Sequence, residues 1–346
     1  MPSTMRILAF PYRGIAYNDG FYDALSAQGV EVISGEWAGK WLLQNLRKQD
    51  AVHIHWPSFL YASSGTSGAV LLSFLRFIVL LAVMRMRTKK IYWTAHNLMP
   101  HDRCVLPWLD TVARHCIIAM ASKIFVHGAS AQKVLLDRFP RAAGKCIKIP
   151  HGNWIGHYPP EQTKESARAA LGLPQDAFIY LFFGQCKPYK NLDGLMRIFL
   201  KQASRNDVLL VAGGFSDKQY LSSIREIAGT DARIRLDARF IPNEEVSSYV
   251  MASDAMCVPY REILTSGTAM LALGFGKPVI SIDRGFLRDV IPPHAGILIE
   301  PDNAEQLAQA LQSIQEKPWQ SDEIIHHAKQ FTYEDAAAIF LKEAAS

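Results

Sequence analysis

Short apolar runs alternate with helix-patterned stretches along almost the whole chain, and this alternation restricts the fold more than any other feature of the sequence. MRILAFP (5–11) leads through a glycine-containing loop into the helical DGFYDALSAQG (19–29). VEVIS (30–34), DAVHIHW (50–56), KKIYWTAHN (89–97), KIFVHG (123–128) and KCIKIPHG (145–152) continue the series. Strands that each hand over to a helix pair in parallel through crossovers, so the repeat predicts a doubly wound α/β sheet. The pattern breaks at NWIGHYPPEQTKESARAALGLPQDA (153–177), where paired prolines and polar residues surround one short helix. A second series follows: FIYLFFGQ (178–185), DVLLVAGG (207–214), RIRLDAR (233–239), DAMCVPY (254–260), KPVISI (277–282) and AGILIE (295–300). We therefore expect one Rossmann-like domain over 1–157, a linker over 158–177 and a second Rossmann-like domain over 178–331. The last helix, within 332–346, is expected to pack back on the first domain. The 346 residues suit this division, because a single core rarely grows past roughly 250–300 residues.

Composition narrows the partners. A net charge of +5 suits anionic ligands or an anionic membrane face and is too small to imply a nucleic acid. Cys104, Cys116, Cys146, Cys186 and Cys257 are scattered and never form a CxxC pair, which points to reduced thiols and away from a zinc site. The N-terminal apolar stretch is too short for a signal peptide, so a cytoplasmic location is expected. SGAVLLSFLRFIVLLAVMRMRTKK (67–90) leaves two readings open. It is a crossover helix between the strands on either side, or a helix partly embedded in the inner leaflet. In the second case Arg76, Arg85, Arg87, Lys89 and Lys90 would meet acidic headgroups.

Two Rossmann-like domains facing each other place a ligand cleft between the carboxyl ends of their strands, and the candidate chemistry does cluster at strand ends. After FIYLFFG come Gln185, Lys187 and Lys190, with the two lysines just ahead of a helix where they can meet a diphosphate. After DAMCVPY, the turn Ser266-Gly267-Thr268 feeds a helix N-terminus, whose free N–H groups attract anions. Alone, the first is a solvated basic loop and the second an ordinary capped helix. Together, at strand ends of one domain, they point to a diphosphate clamp.

In order, FFGQCKPYKNLDGL, LLVAGG, ASDAMCVPYREILTSGTAMLALGFGKPVI and GILIEPDNAEQLAQAL resemble the donor half of GT-B glycosyltransferases of the glycosyltransferase-4-like superfamily. VHIHWP, TAHNLMPHD, VHGAS and IPHGNW in the first half are similar to bacterial exopolysaccharide enzymes such as the xanthan-type β-mannosyltransferases. The resemblance implies a nucleotide-diphosphate sugar held mainly by the second domain. Lys190 would contact the diphosphate, Lys187 stands where an arginine is common, and Ser266, Gly267 and Thr268 would wrap the distal phosphate. Gln185, Tyr260 and Glu262 complete the expected donor set. The chain departs from the retaining pattern of two glutamates eight positions apart: Ile263 and Leu271 stand there, with Glu262 out of step. No Asp-x-Asp pair occurs either, so no metal or other cofactor is expected beside the donor.

An inverting transfer needs one base to take the proton of the acceptor hydroxyl. TAHNLMPHDR, after the strand 89–95, offers the best cluster. Asp102 is the first choice, with His101 next or as its partner, while His96 and Asn97 would hydrogen-bond the donor sugar or shape the loop. Asp19 is the rival base, and His151 is a cleft-lining candidate. The expected activity is inverting, metal-independent transfer of a hexosyl or hexuronosyl residue to a polyprenyl-diphosphate-linked oligosaccharide in exopolysaccharide biosynthesis. It would take place at the inner face of the cell membrane, with the enzyme peripheral to it. The alternatives are a retaining GT-B transferase, a nucleotide-sugar epimerase on the same fold, or a non-catalytic GT-B subunit that activates a partner.

Overall fold

A computed structural model describes residues 5–61, 66–100, 105–158 and 162–345. The chain divides into two compact units, one of residues 1–152 with 331–346 and the other of residues 153–330.

The first unit is built on β1 (Arg6–Phe10), β2 (Glu31–Ser34), β3 (Ala51–Ile54), β4 (Lys90–Thr94), β5 (Lys123–His127) and β6 (Cys146–Ile149). These form one parallel sheet in the order β2-β1-β3-β4-β5-β6. The second unit has β7 (Ile179–Phe183), β8 (Val208–Ala212), β9 (Ile234–Asp237), β10 (Ala255–Val258), β11 (Val279–Ile282) and β12 (Gly296–Ile299). Its sheet is also parallel, in the order β12-β11-β10-β7-β8-β9. Every strand-like run read from the sequence contains one of these strands. Their central members are covered on both faces, as parallel sheets require, so β3, β8, β10 and β11 are buried at every position. Each sheet reverses its strand order once, between β1 and β3 and between β7 and β10. Such reversals leave a crevice at the carboxyl ends of the strands.

The helix Ser67–Arg87 is long and apolar enough to cross a membrane by length and composition. It nonetheless joins β3 to β4, which are neighbours in register in one sheet, so it serves as their crossover. Val70, Phe74, Phe77, Leu81 and Met84 follow the helical spacing of a core face and are buried. The opposite face exposes Leu72 (70%), Leu75 (54%) and Val79 (60%).

Residues 158–177, expected to be a linker, are instead tied into the second unit where the structure describes them. The helix Lys164–Ala170 packs on Asn243–Ala252. Arg168 donates to Ala252 O at 3.0 Å and to the Asp254 carboxylate at 2.6 Å, and Lys164 pairs with the same carboxylate. Asp254 also accepts from Ile179 N at 2.7 Å, at the start of β7. A carboxylate that gathers two cations and a backbone N–H makes the segment part of the domain.

The last helix, Tyr333–Ala345, lies in the first unit against the helix Ala16–Ala27. Phe340 is fully buried between the rings of Phe21, His53, Tyr92 and Phe125, with centroids 4.7–5.5 Å away. Gly20 and Gly152 make room for Tyr333: a Cβ on either would lie 2.6 or 2.5 Å from its ring.

Candidate active site

In the second unit, the loops that follow β7 and β10 flank the reversal of strand order. After β7 the chain turns at Gly184 (φ +94°), a conformation that side-chain-bearing residues rarely adopt. The floor there is tight, because a Cβ on Gly213 would lie 1.9 Å from Gly184 O. Cys186 N donates to Gly214 O at 2.8 Å, which ties the loop to the end of β8, and burial pushes the Cys186 thiol up to about 12, so it stays protonated. A short turn, Pro188–Lys190, and Asn191 in the left-handed region (φ +59°) then start the helix Leu192–Gln202.

Lys190 is 8% exposed, yet among the described residues no carboxylate lies within ion-pair reach of its ammonium. Its Nζ sits 5.0 Å over the Tyr260 ring. Nζ and the Thr268 hydroxyl converge on Gly184, each 3.7 Å from the point a Cβ would occupy there. Tyr260 OH donates to Thr268 Oγ1 at 3.4 Å. Ser266 caps the helix Gly267–Gly274, its Oγ accepting from Ala269 N at 3.3 Å, and Gly267 O accepts from the Trp154 indole at 2.9 Å. The capping hydroxyl satisfies one first-turn N–H and leaves others for an anion. A nearly buried cation, a hydroxyl and a helix N-terminus beside a glycine floor are complementary in charge to an anionic group such as a diphosphate. Of the expected donor residues, Lys190, Tyr260, Ser266, Gly267 and Thr268 thus come together. Gln185 is exposed on the same loop, Lys187 is half-buried beside it, and Glu262 is exposed after β10. Arg261, the neighbour of Glu262, is committed within the fold, pairing with Asp193 at 3.2 Å and Asp302 at 3.1 Å. Leu271, at the place of the second retaining glutamate, is buried in the core.

The first unit gathers histidines at the carboxyl ends of four adjacent strands. His53 and His55 come from β3 and its end, His96 follows β4, His127 ends β5 and His151 follows β6. All five are buried. Tyr17 stands among them, its ring centroid 4.6 Å from His96, 5.1 Å from His127 and 5.0 Å from His151. Burial lowers every one of these imidazoles, His53 to about 3 and His151 to about 4, while His55, His96 and His127 fall well below the usual value as neighbouring histidines add to the effect. The cluster is therefore neutral near pH 7. Of the expected residues, His96 and His151 lie inside it, and His151 Nδ1 donates to Gly152 O at 3.1 Å. Asn97 is half-buried next to His96. Asp19 sits apart in the first turn of Ala16–Ala27, accepting from Gly14 N at 3.3 Å, with Arg13 at 3.7 Å. His101 and Asp102 lie outside the described residues. Sequence reasoning missed Tyr17, Tyr22 and His127. The His-x-His spacing on one face of β3 was the available signal, since residues two apart in a strand point the same way.

Among the described residues no group of three or more His, Cys, Asp or Glu side chains is placed to hold a metal ion.

Residues 163–331 match the family described as glycosyl transferases group 1. Over 242 residues the chain is 23% identical to the GDP-mannose:glycolipid 4-beta-D-mannosyltransferase of Xanthomonas campestris pv. campestris, an alignment covering 68% of this chain and 62% of that one. It is 25% identical over 347 residues to the D-inositol 3-phosphate glycosyltransferase of Streptomyces bingchenggensis, covering 95% of this chain and 72% of that one. Among solved structures, sucrose-phosphate synthase from Thermosynechococcus elongatus superposes with a TM-score of 0.71 at 18% identity, over 99% of this chain and 98% of the other. Anabaena HepE in complex with UDP-glucose gives 0.71 at 16% identity with the same coverage. At these identities the structural likeness establishes the fold, which is GT-B.

Proposed function

We propose that this GT-B chain, a glycosyltransferase whose second unit carries the group 1 sequence, moves a hexosyl or hexuronosyl residue from a nucleotide-diphosphate sugar to a polyprenyl-diphosphate-linked saccharide in exopolysaccharide assembly. The observation that carries the reading is Lys190: a nearly buried ammonium with no carboxylate among the described residues, aimed with Thr268 at a glycine floor beside a capped helix N-terminus. A buried cation of this kind calls for an anionic ligand. GDP-mannose heads the donors to test, since a curated relative is named for it.

The transfer is inverting. Ile263 and Leu271 occupy the positions where retaining relatives keep their glutamate pair, and Leu271 is packed into the core. The acceptor oxygen attacks the anomeric carbon from the face opposite the diphosphate, Asp102 takes its proton with His101 beside it, and the sugar–phosphate bond breaks. Charge on the departing diphosphate is met by Lys190, Lys187 and the N–H groups at Gly267 and Thr268, without a metal ion. His96, Asn97 and His151 help shape the sugar site.

The enzyme works as a peripheral protein on the inner face of the cell membrane. Leu72, Leu75 and Val79 present an apolar stripe along Ser67–Arg87, exposed Arg85, Arg87, Lys89 and Lys90 stand at its end, and exposed Phe59 and Trp108 lie on elements packed against it. An apolar face with cations at its border matches an anionic bilayer surface.

The test is a donor screen: purified protein, radiolabelled GDP-mannose, UDP-glucose and UDP-glucuronate in turn, and either bacterial membrane lipid extract or D-inositol 3-phosphate as acceptor, with EDTA present. Label entering the organic phase from one donor, lost in Lys190→Ala and in Asp102→Asn, is the expected result. Transfer only to D-inositol 3-phosphate would assign a soluble acceptor. Hydrolysis or epimerisation of the donor, or inertness toward all donors, would replace the reading.

A further inference from the structure

Within the histidine cluster, five groups are threaded on one line of hydrogen bonds. The Thr94 hydroxyl meets His53 Nε2 at 2.8 Å, and His53 Nδ1 meets Tyr22 OH at 3.0 Å. The same Tyr22 oxygen meets His55 Nε2 at 2.7 Å, and His55 Nδ1 meets His96 Nε2 at 2.9 Å. Thr94, Tyr22, His53 and His55 are fully buried and His96 is 7% exposed, so water does not replace these partners.

Proton counting along this line is restrictive. A neutral imidazole carries one N–H, and the other nitrogen accepts. Tyr22 has a single proton for two nitrogens, so it donates to one histidine and accepts from the other. If it donates to His55 Nε2, then His55 carries its proton on Nδ1 and donates to His96 Nε2, which puts the His96 proton on Nδ1. Tyr22 then accepts from His53 Nδ1, and His53 Nε2 accepts from Thr94. Reversing Tyr22 reverses every step: His96 Nε2 donates to His55, His55 Nε2 to Tyr22, Tyr22 to His53 Nδ1, and His53 Nε2 to Thr94. In either case all three histidines hold the same tautomer, all Nδ1–H or all Nε2–H. Any mixed arrangement leaves a buried donor without an acceptor or two lone pairs facing each other. Among the described residues the fully buried Thr94 hydroxyl has no acceptor other than His53 Nε2, so Thr94 donates and the all-Nδ1–H polarity is the one that satisfies every group on the line.

We infer that Thr94, His53, Tyr22, His55 and His96 act as one tautomeric unit, in which Tyr22 hands on to His55 and His96 the polarity that Thr94 sets, and so fixes which His96 nitrogen carries its proton with no change in charge. The functional consequence rests on the reading that His96 belongs to the sugar site, whereas the coupling itself does not. Tyr22 is then a positioning residue, acting on His96 through His55. Burial keeps the imidazoles neutral, so the set changes tautomer only when a proton lost at one end is replaced by one gained at the other.

The test is ring nitrogen NMR on substrate-free protein labelled with 15N-histidine, the signals assigned with single His→Gln variants. In the wild type, His53, His55 and His96 should report one shared neutral tautomer between about pH 6 and 8. In Tyr22→Phe, which removes only the hydroxyl, at least one of His53 and His55 should become a mixture of tautomers. Opposite tautomers in the wild type, an imidazolium in this pH range, or unaltered tautomers in Tyr22→Phe would each overturn the inference. If Tyr22→Phe does not fold, the wild-type tautomers decide alone. No substrate is present, so failure of the coupling is distinguishable from failure of the transferase reading, which the donor screen tests.

Discussion

Replacing Lys190 with alanine isolates the diphosphate clamp. Lys190 Nζ lies 5.0 Å over the Tyr260 ring in the free protein, and a cation–π contact kept on binding would drop out of the affinity difference. What alanine removes is a charge-assisted contact to phosphate, worth about 1.5–3 kcal/mol, or roughly 10- to 150-fold in affinity at about 1.36 kcal/mol per tenfold. The Coulomb term sets a ceiling of about 4 kcal/mol for unit charges about 4 Å apart near a protein surface. Calorimetric titration of wild type and variant with GDP and with UDP measures the difference. The thermal midpoint should shift modestly, because the ring contact, about 0.5–1 kcal/mol, and the packing of the buried stem are lost while the cost of burying the charge is relieved. Raising the salt concentration should narrow the gap, as screening weakens the wild-type contact. An affinity within about threefold of wild type for both nucleotides, in a folded variant, would refute the clamp and send the diphosphate elsewhere.

Further outcomes follow from the same structure. Leu72→Glu with Val79→Glu alters two exposed positions, so stability should hold within about 0.5 kcal/mol while partition onto phosphatidylglycerol vesicles falls at least about tenfold. Unchanged sedimentation with vesicles would remove this face from the membrane. Phe340→Ala empties a site ringed by four aromatic side chains and should cost about 3–5 kcal/mol, read as a lower urea midpoint of the first unit. A loss under about 1 kcal/mol would mean that the last helix contributes little. The buried histidines also set a pH dependence. Folded values of about 3 for His53 and about 4 for His151 lie below the unfolded value near 6.5, so their contribution is present above pH 6.5 and is lost as pH falls toward 4. Between pH 6.5 and 5 these two alone should remove about 3 kcal/mol, and urea unfolding at both pH values checks it. Equal stability at the two would show that the histidines are not buried as described.

The strands were legible because period and apolar runs are local: MRILAFP and IYLFF carry their own signal, and tertiary context only completed the burial. Lys190 and the Ser266-Gly267-Thr268 turn were legible for a related reason. The proposed diphosphate clamp stands at strand ends of a parallel sheet, and strand ends can be read along the chain. The linker was misread because what holds Lys164–Ala170 is Asp254, 86 residues beyond Arg168, and a long-range ion pair leaves no mark in the local pattern. The histidine line was out of reach for the same physical reason. His55 and His96 are 41 residues apart and meet only because β3 and β4 are neighbours in the sheet, while Tyr22 arrives from a helix. The amino-acid sequence thus determined two α/β halves and the strand-end places of Lys190 and the Ser266-Gly267-Thr268 turn, since both follow from local periodicity. Tertiary structure alone decided which distant polar groups share protons in the interior of the first, because that depends on which strands lie side by side.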